Sequence, residues 1–250
     1  MVRKTNNVKG RFGDYMIKKA LKFLLLLLLV AFAVFGGFYG FEYWQGNRIR
    51  VLLDVPIVNQ HPEYPTGCES IALYMLLQYY GTDVTKEEII EALPKGSIPY
   101  EKAGKTYGAN PEREFVGDPR DDHSYGVYNQ PICDTANLFR KGAITKTGAT
   151  IEEVTQILDS GAPVIIWYTT NINREVIAGN TWLDEQTGEA VTWMKYEHAV
   201  VACGYKLNDL IINDPNTGTQ RTIRFGDIMA AFDKLGGRIV YYPVNSTVNS

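Results

Sequence analysis

A run of 19 residues without a charged side chain, at 23–41, constrains this chain more than any other feature. As a helix it would be about 28 Å long, which is close to the hydrocarbon thickness of a bilayer. Residues 1–22 before it carry seven Lys and Arg side chains against one Asp. Because such a basic flank stays in the cytoplasm, the sequence predicts a transmembrane anchor with the rest of the chain outside the cell.

Two other interpretations of the apolar run stay open. The tripeptide "AFA" at 31–33 has the small-x-small pattern of a signal-peptide cleavage site, in which case the run is removed from a secreted protein. A helix buried in the protein core is the third interpretation. The anchor and the signal peptide agree on one point, since both place the body of the chain on the extracytoplasmic side.

The body of the chain has a composition that favours one globular domain. Beyond residue 22 it holds 18 basic and 27 acidic side chains, a negative balance that disfavours nucleic acid as a partner. Three cysteines are too few for a disulfide framework and leave at least one thiol free. The spacing of Cys133 and Cys203 does not decide whether they pair. We predict a linker at 42–51 and a domain at 52–250.

Helices are indicated by apolar spacing and by their end signals. Apolar side chains recur with the helical period between Ile71 and Tyr79, and the following Gly81 supplies a stop. The spacing of "CDTANLFRKG" at 133–142 predicts another helix. A threonine followed three residues later by a glutamate forms a capping box, which opens a helix. Two such boxes are present: Thr85 with Glu88, before a helix at 87–93, and Thr150 with Glu153, before a helix that Gly161 ends.

Strands are indicated by β-branched and aromatic runs, most of them in the second half of the chain. Residues 171–194 between two such runs predict a hairpin with "TGEA" as its turn, whereas 95–131 is rich in Gly, Pro and Asp and predicts a long functional loop or lid. Helices first and antiparallel strands later predict an α+β fold. The predicted strands are "GNRIRVLLDVPIVNQ" at 46–60, "PVIIWY" at 163–168, "HAVVACGY" at 198–205 and "DLIIND" at 209–214.

Cys68 stands where the first of these helices begins. Unpaired backbone amides and the helix dipole favour negative charge at that position, so we predict that the thiolate is favoured over the thiol. A nucleophilic thiol needs a proton partner, and the chain has three histidines. His61 and His123 fall in loops, whereas His198 opens a hydrophobic strand and needs a polar partner there.

Counting along the predicted hairpin supplies that partner. A three-residue "KLN" turn between Tyr205 and Asp209 places Asp214 opposite Val200, and His198 lies two residues further along the same face. Diagonal neighbours of this kind are about 7 Å apart at the backbone, within reach of an Asp–His hydrogen bond. Gln60, eight residues before the cysteine, is a candidate donor to an oxyanion.

The four motifs that carry these residues resemble, taken together, family thirty-nine of the cysteine peptidases. This is the papain-like group that includes bacteriocin-leader processing domains, and the resemblance covers roughly residues 52 to 242. The motifs are "NQ" at 59–60, "GCES" at 67–70, "EHAVVACGY" at 197–205 and "INDP" at 212–215.

The resemblance implies a papain-like α+β fold in which the helix bearing the nucleophile packs on an antiparallel sheet. It also implies a peptide or protein substrate. The N-terminal apolar run predicts the membrane as a further partner, and no metal or cofactor is expected. The site residues that it implies are Cys68 as nucleophile, His198 as general base, Asp214 as the residue that orients the imidazole, and Gln60 as oxyanion donor.

The chain departs from the leader-processing enzymes in one respect. Those enzymes are usually fused to a transporter with a nucleotide-binding domain, and this sequence has no phosphate-loop motif. It therefore resembles the stand-alone branch, whose substrates are generally unassigned, and cleavage after a double glycine is not implied. The sequence does not predict an oligomeric state.

Three other functions remain open at this level. The order Cys, His, Asp also occurs in transglutaminase-like folds and in cell-wall amidases, although there the histidine usually follows the cysteine much sooner than the 130 residues seen here. A surface module that keeps the fold only for binding is a second alternative. A zinc site is a third, disfavoured because its ligands include no closely spaced pair; they would be Cys68, Cys133, Cys203 and His198.

Overall fold

A computed structural model of the chain describes residues 8–170 and 178–244. The chain divides into two compact units, Met1–Arg48 and Ile49–Ser250. The first unit is a single helix, α1 (Val8–Asn47), which begins within the basic tail and includes most of the predicted linker.

Helix α1 contains one stretch, Tyr15–Phe41, that is long and apolar enough to cross a membrane, with a mean hydropathy of 2.5. None of that stretch is buried inside the protein. A helix that is apolar all round must otherwise be covered by a core or by lipid. The interpretation as a buried core helix is therefore wrong, and the anchor and the signal peptide remain.

The second unit contains five helices and thirteen strands within the described residues. The helices are α2 (Cys68–Tyr79), α3 (Lys86–Ala92), α4 (Asn129–Phe139), α5 (Ile151–Asp159) and α6 (Phe225–Lys234). The strands are β1 (Ile49–Leu52), β2 (Lys95–Gly96), β3 (Tyr100–Lys102), β4 (Lys105–Gly108), β5 (Phe115–Val116), β6 (Ile144–Lys146), β7 (Val164–Thr169), β8 (Ala178–Asp184), β9 (Ala190–Met194), β10 (Glu197–Lys206), β11 (Asp209–Asp214), β12 (Thr219–Arg224) and β13 (Ile239–Tyr241).

The main sheet is antiparallel and has seven strands, in the order β12-β11-β10-β7-β13-β6, with β1 added on the last residues of β10. Strand β10 is the longest strand of this sheet, and its side chains point alternately into two apolar layers. Ala199 and Val201 face a core formed with α2, whereas Val200 and Ala202 face a core formed with α5 and α6. The predicted α+β fold, with the Cys68 helix against an antiparallel sheet, is confirmed.

The start and stop signals predicted from the sequence also bound the helices in the structure. Both capping boxes form, with Thr85 accepting from the Glu88 amide and Thr150 from the Glu153 amide. Gly81, after α2, adopts a φ of 67°, in the left-handed region that glycine enters without strain. Helix α4 begins four residues before the predicted "CDTANLFRKG" segment, at Asn129.

The segment 95–131 is not the irregular loop that its composition predicted. It contributes β2 and β5, which pair with each other, and β3 and β4, which join β8 and β9 in a four-stranded sheet. The predicted hairpin at 171–194 is present as β8 and β9, joined by residues 185–189. The first part of that prediction, 171–177, lies outside the described residues. Sequence patterns also missed β6, β12, α6 and β13.

Candidate active site

Cys68 is the first residue of α2, as predicted, and it is 7% exposed. Gly67 precedes it, and the Gly67 carbonyl accepts the first intrahelical hydrogen bond, from the amide of Ile71. A Cβ at position 67 would lie 2.9 Å from the Cβ of Tyr64. The close approach of these two chain segments therefore requires a glycine immediately before the cysteine.

His198 and Asp214 are brought together at the end of the β10–β11 hairpin. Their atoms Nε2 and Oδ1 are 2.8 Å apart, and both side chains are buried. Because an ionised carboxylate only accepts hydrogen bonds, Nε2 carries the proton and Nδ1 keeps a lone pair for a proton from elsewhere. Tyr168, the cross-strand neighbour of His198, lies with its ring 5.8 Å from the imidazole and helps to exclude water.

The strand pairing that brings His198 and Asp214 together agrees with the prediction, but the turn of the hairpin does not. The turn has two residues rather than three, since β10 continues to Lys206, and Tyr205 pairs with Leu210. A β-bulge at Cys203 then inserts one extra residue, so that Val201 pairs with Asn213. The shorter turn and the bulge compensate for each other, and the predicted register holds at the site.

Asp214 is held by two further donors that the sequence did not reveal. Its Oδ2 accepts a hydrogen bond from Nη1 of Arg221 at 2.7 Å, and its Oδ1 accepts one from the amide of Asn216 at 2.9 Å. Burial raises the pKa of Asp214, but the hydrogen bond and charge of His198, with these donors, bring it down to about 2. The carboxylate is therefore ionised at any ordinary pH, with its orientation fixed from both oxygens.

Gln60 lies in the loop before α2 and is 3% exposed. Its backbone amide donates to the carbonyl of Pro215, which ties this loop to the residue after Asp214. One side-chain N–H donates to the carbonyl of Pro65 at 2.8 Å. An amide nitrogen carries two hydrogens, and this contact uses one of those of Gln60.

The Cys68 thiol forms its hydrogen bonds with neighbours that were not predicted. Sγ donates to Oε2 of Glu69 at 3.3 Å and accepts from the amide of Ala199 at 3.5 Å. Among the hydrogen bonds of the described residues, none joins Sγ to the ring of His198. A direct contact between the sulfur and the imidazole, which a nucleophilic cysteine and its base need, therefore stays a prediction.

The predicted thiolate is not favoured in this arrangement. Burial raises the pKa of Cys68 well above its ordinary value, and the carboxyl groups of Glu69 and Glu197 raise it further. The amide of Ala199 acts in the opposite direction but is outweighed. The helix terminus alone suggested a charged sulfur, because sequence reasoning could not show that two acidic side chains would surround it.

The other cysteines and histidines lie elsewhere. Cys133 and Cys203 are free and buried, so the open question of a disulfide is answered in the negative for this structure. In the described part of the chain, neither belongs to a close group of metal-ligand atoms, and the zinc alternative loses its ligand set. His61 bonds to Asn216, and His123 contacts acidic neighbours on the surface.

Comparisons with known proteins identify the family of this chain. The model of the Peptidase C39 like family matches residues 52–240. The uncharacterized protein YvpB of Bacillus subtilis is 33% identical over 178 residues, which cover 68% of each chain. A crystal structure described as a C39-like peptidase from Bacillus anthracis superposes with a TM-score of 0.70 at 27% identity, covering 80% of this chain and all of that one.

A further solved structure is a double glycine motif protease from an AMS/PCAT transporter in complex with the leader peptide. It has a TM-score of 0.46 and 19% identity, over 78% of this chain and 96% of that one, a similarity too low to carry an argument. The family match spans most of the second unit and includes both the Cys68 helix and the His198–Asp214 hairpin. The chain therefore belongs to the Peptidase C39 like family.

Proposed function

We propose that this protein is an extracytoplasmic cysteine peptidase that hydrolyses peptide bonds, with Cys68 as the nucleophile. The observation that carries the proposal is the buried His198–Asp214 pair, joined at 2.8 Å. His198 precedes Ala199, whose amide contacts the Cys68 sulfur at 3.5 Å. A thiol, an imidazole and an orienting carboxylate are the three groups that nucleophilic acyl transfer needs. Membership of a peptidase family makes peptide bonds the expected substrate.

The proposed reaction begins when a bound substrate brings the thiol against the free Nδ1 of His198. The thiol proton passes to Nδ1, and Sγ attacks the scissile carbonyl carbon to give a tetrahedral intermediate. The free N–H of Gln60 and the backbone amide of Cys68 would then hold the oxyanion.

Collapse of the intermediate completes the first half of the reaction. The imidazolium returns its proton to the leaving amine, and a thioester with Cys68 remains. A water molecule, deprotonated by His198, hydrolyses the thioester and restores the thiol. Throughout, Asp214 holds the imidazole in one tautomer, and Arg221 fixes the carboxylate from its other oxygen.

The direct test uses a peptide bearing a thiol-directed electrophile, applied to intact cells that produce the protein. We expect one modified residue, Cys68, identified by peptide mapping. A transglutaminase-like enzyme or a cell-wall amidase would also be labelled, so purified protein is then assayed for release of a new peptide amine and for transfer to an added amine. Hydrolysis without transfer supports a peptidase; a folded protein that is not labelled at Cys68 excludes it.

Topology gives a second, independent prediction. The basic tail and α1 predict that the second unit lies outside the cell, so external protease should degrade it in cells stripped of their wall. A cytoplasmic protein in the same cells is the control and should survive until lysis. Protection of the second unit until lysis contradicts the proposed location, whereas a mature N-terminus near Val34 selects a cleaved signal peptide over an anchor.

Gln60 gives a prediction specific to acyl transfer. Gln60→Ala should lower turnover on the order of 100-fold, because it removes one of two oxyanion donors. The rate at which a simple alkylating agent modifies Cys68 should not change, because alkylation forms no oxyanion. Turnover is measured as the initial rate of peptide cleavage, and alkylation by mass spectrometry.

Because Gln60→Ala also removes most of a buried side chain, a second variant of the same size is needed. Gln60→Glu keeps the size of the side chain but removes its N–H donors, and we expect a similar loss of turnover. Gln130→Ala, an exposed glutamine in α4, is the matched control and should behave as wild type. Full turnover by either Gln60 variant would remove this residue from the proposed site.

A further inference from the structure

Two carboxyl groups, one buried and one half-buried, lie against the Cys68 thiol, and the proposed reaction uses neither of them. Glu69 follows the nucleophile in α2 and is fully buried, and Glu197 is the first residue of β10. One oxygen of each carboxyl group and the sulfur of Cys68 all lie within 4.8 Å of one another. Acidic groups at that distance oppose the formation of a thiolate.

Glu69 is fixed in place by contacts with both of its oxygens. Oε1 accepts the backbone N–H of Val127 at 2.8 Å, and Oε2 accepts the thiol of Cys68 at 3.3 Å. Gly126, with a φ of 154°, packs so closely that a Cβ there would overlap Oε1 of Glu69. The carboxyl group is therefore held as an acceptor facing the sulfur and is not free to rotate away.

The pair lacks a free cation to compensate its charge. Among the described residues, the cation that acts on Glu197 is Arg238, and this guanidinium bonds to Glu112 and stacks 4.0 Å over the ring of Tyr128. Tyr128 itself faces the pair with a raised pKa, so it stays neutral. His198, on the same strand as Glu197, directs its ring to Asp214.

Two carboxyl groups in such surroundings do not both ionise in the neutral range, because each opposes the charge of the other. Burial raises the pKa of Glu69 to about 7, and burial followed by the charge of Glu69 raises that of Glu197 well above its ordinary value. The contacts of Glu69 with two donors favour it as the ionised member, so Glu197 carries the proton. Above about pH 7 the site therefore holds one negative charge beside the sulfur.

We propose that Glu69 is a positioning residue that restrains the nucleophile: it accepts the Cys68 S–H, and its charge keeps the thiol protonated in the resting protein. The restraint on the thiol follows from the contacts of Glu69 alone. Its consequence for catalysis, that the thiol must exchange Glu69 for His198 when substrate binds, rests on the proposed peptidase function.

The test is the pH dependence of Cys68 alkylation by iodoacetamide in the full chain, with the modified residue identified by mass spectrometry. Glu69→Gln keeps an oxygen for the Val127 amide but removes the charge. We expect the midpoint of its alkylation profile about one pH unit below that of wild type, and alkylation at pH 8 about tenfold faster. A folded Glu69→Gln protein that reacts at the wild-type rate, or more slowly, overturns the proposal.

Glu197→Gln separates the role of Glu69 from a general loss of acidity. Removing the protonated member leaves the negative charge on Glu69, so alkylation at pH 7 should stay within about twofold of wild type. An increase at pH 7 as large as that of Glu69→Gln would contradict the assignment. Glu152→Gln, on the exposed side of α5, is the matched control and should leave the profile unchanged.

The wild-type protein keeps the proposal testable if the Glu69 variant does not fold. The midpoint of its Cys68 alkylation profile should lie above about pH 8.5, which is the pKa of an ordinary cysteine. A midpoint below pH 8 overturns the proposal. Alkylation requires no substrate and no turnover. A protein that cleaves no peptide but shows the expected alkylation profiles would therefore disprove the proposed function and leave the role of Glu69 intact.

Discussion

Replacing Cys68 by alanine is expected to abolish peptide cleavage and covalent labelling by a peptide electrophile. The sulfur is the only atom in the proposed reaction that bonds to the substrate, so its loss removes the acyl-enzyme intermediate rather than slowing one step. Ser70, two residues further along α2, carries a hydroxyl, but it projects from a different face of the helix. We expect turnover to fall to the background rate.

The measurement is initial-rate cleavage by purified protein, with labelling on intact cells as a parallel readout. Cys133→Ala is the matched control, because Cys133 is also a buried free thiol but contacts the carbonyl of Ala143 far along the chain from the site. It should keep both activity and labelling. Peptide cleavage by a pure, folded Cys68→Ala protein would exclude the proposed mechanism outright.

Local sequence signals predicted the helix that bears the nucleophile and two of the other helices. The apolar period and Gly81 defined α2, and two capping boxes defined the starts of α3 and α5. These signals work because each depends on residues within one or two helical turns. Strands β6 and β13 carry no such pattern, since they pair with each other from distant parts of the sequence. Strand β12 follows its partner β11 closely, but its residues are mostly exposed and polar.

The His198–Asp214 pair shows how a correct site prediction can rest on a wrong detail. The predicted hairpin had a three-residue turn, and the structure has a two-residue turn with a bulge at Cys203. A bulge is set by the packing of both faces of the sheet, which the sequence of one hairpin does not specify. The register near the site was recovered only because the two differences cancel.

The charge state of the nucleophile could not be predicted from the sequence. Position at a helix N-terminus favours a thiolate, but the balance depends on burial and on Glu197, which is 129 positions from Cys68 in the chain. Arg221 escaped prediction for the same reason, because it reaches Asp214 from a strand that sequence patterns did not reveal. Residues that act through tertiary contacts need the fold before their roles can be assigned.

Replacing His198 by alanine should be nearly as damaging to turnover as losing the sulfur. The imidazole is the proposed acceptor of the thiol proton and the donor to the leaving amine, so its loss affects both halves of the reaction. Labelling of Cys68 by iodoacetamide should persist at high pH, because hydroxide can then deprotonate the thiol. Loss of turnover with retained alkylation would distinguish a missing base from a misfolded site, and His123→Ala is the exposed control.

Asp214→Asn provides the graded comparison, and the structure refines what to expect from it. An amide oxygen can still accept the Nε2–H of His198, which is why a smaller loss than that of His198→Ala is predicted. The amide nitrogen must then face Nη1 of Arg221, a contact between two donors that replaces the 2.7 Å hydrogen bond. Because the Arg221 side chain is 43% exposed, it can turn into solvent and relieve the contact.

Adding Arg221→Met to Asp214→Asn should therefore cost little further activity, whereas Arg221→Met alone should lower turnover by loosening Asp214. If Asp214→Asn is as inactive as His198→Ala in a folded protein, the carboxylate charge matters more than the orientation of the ring, and the role assigned to Asp214 must change.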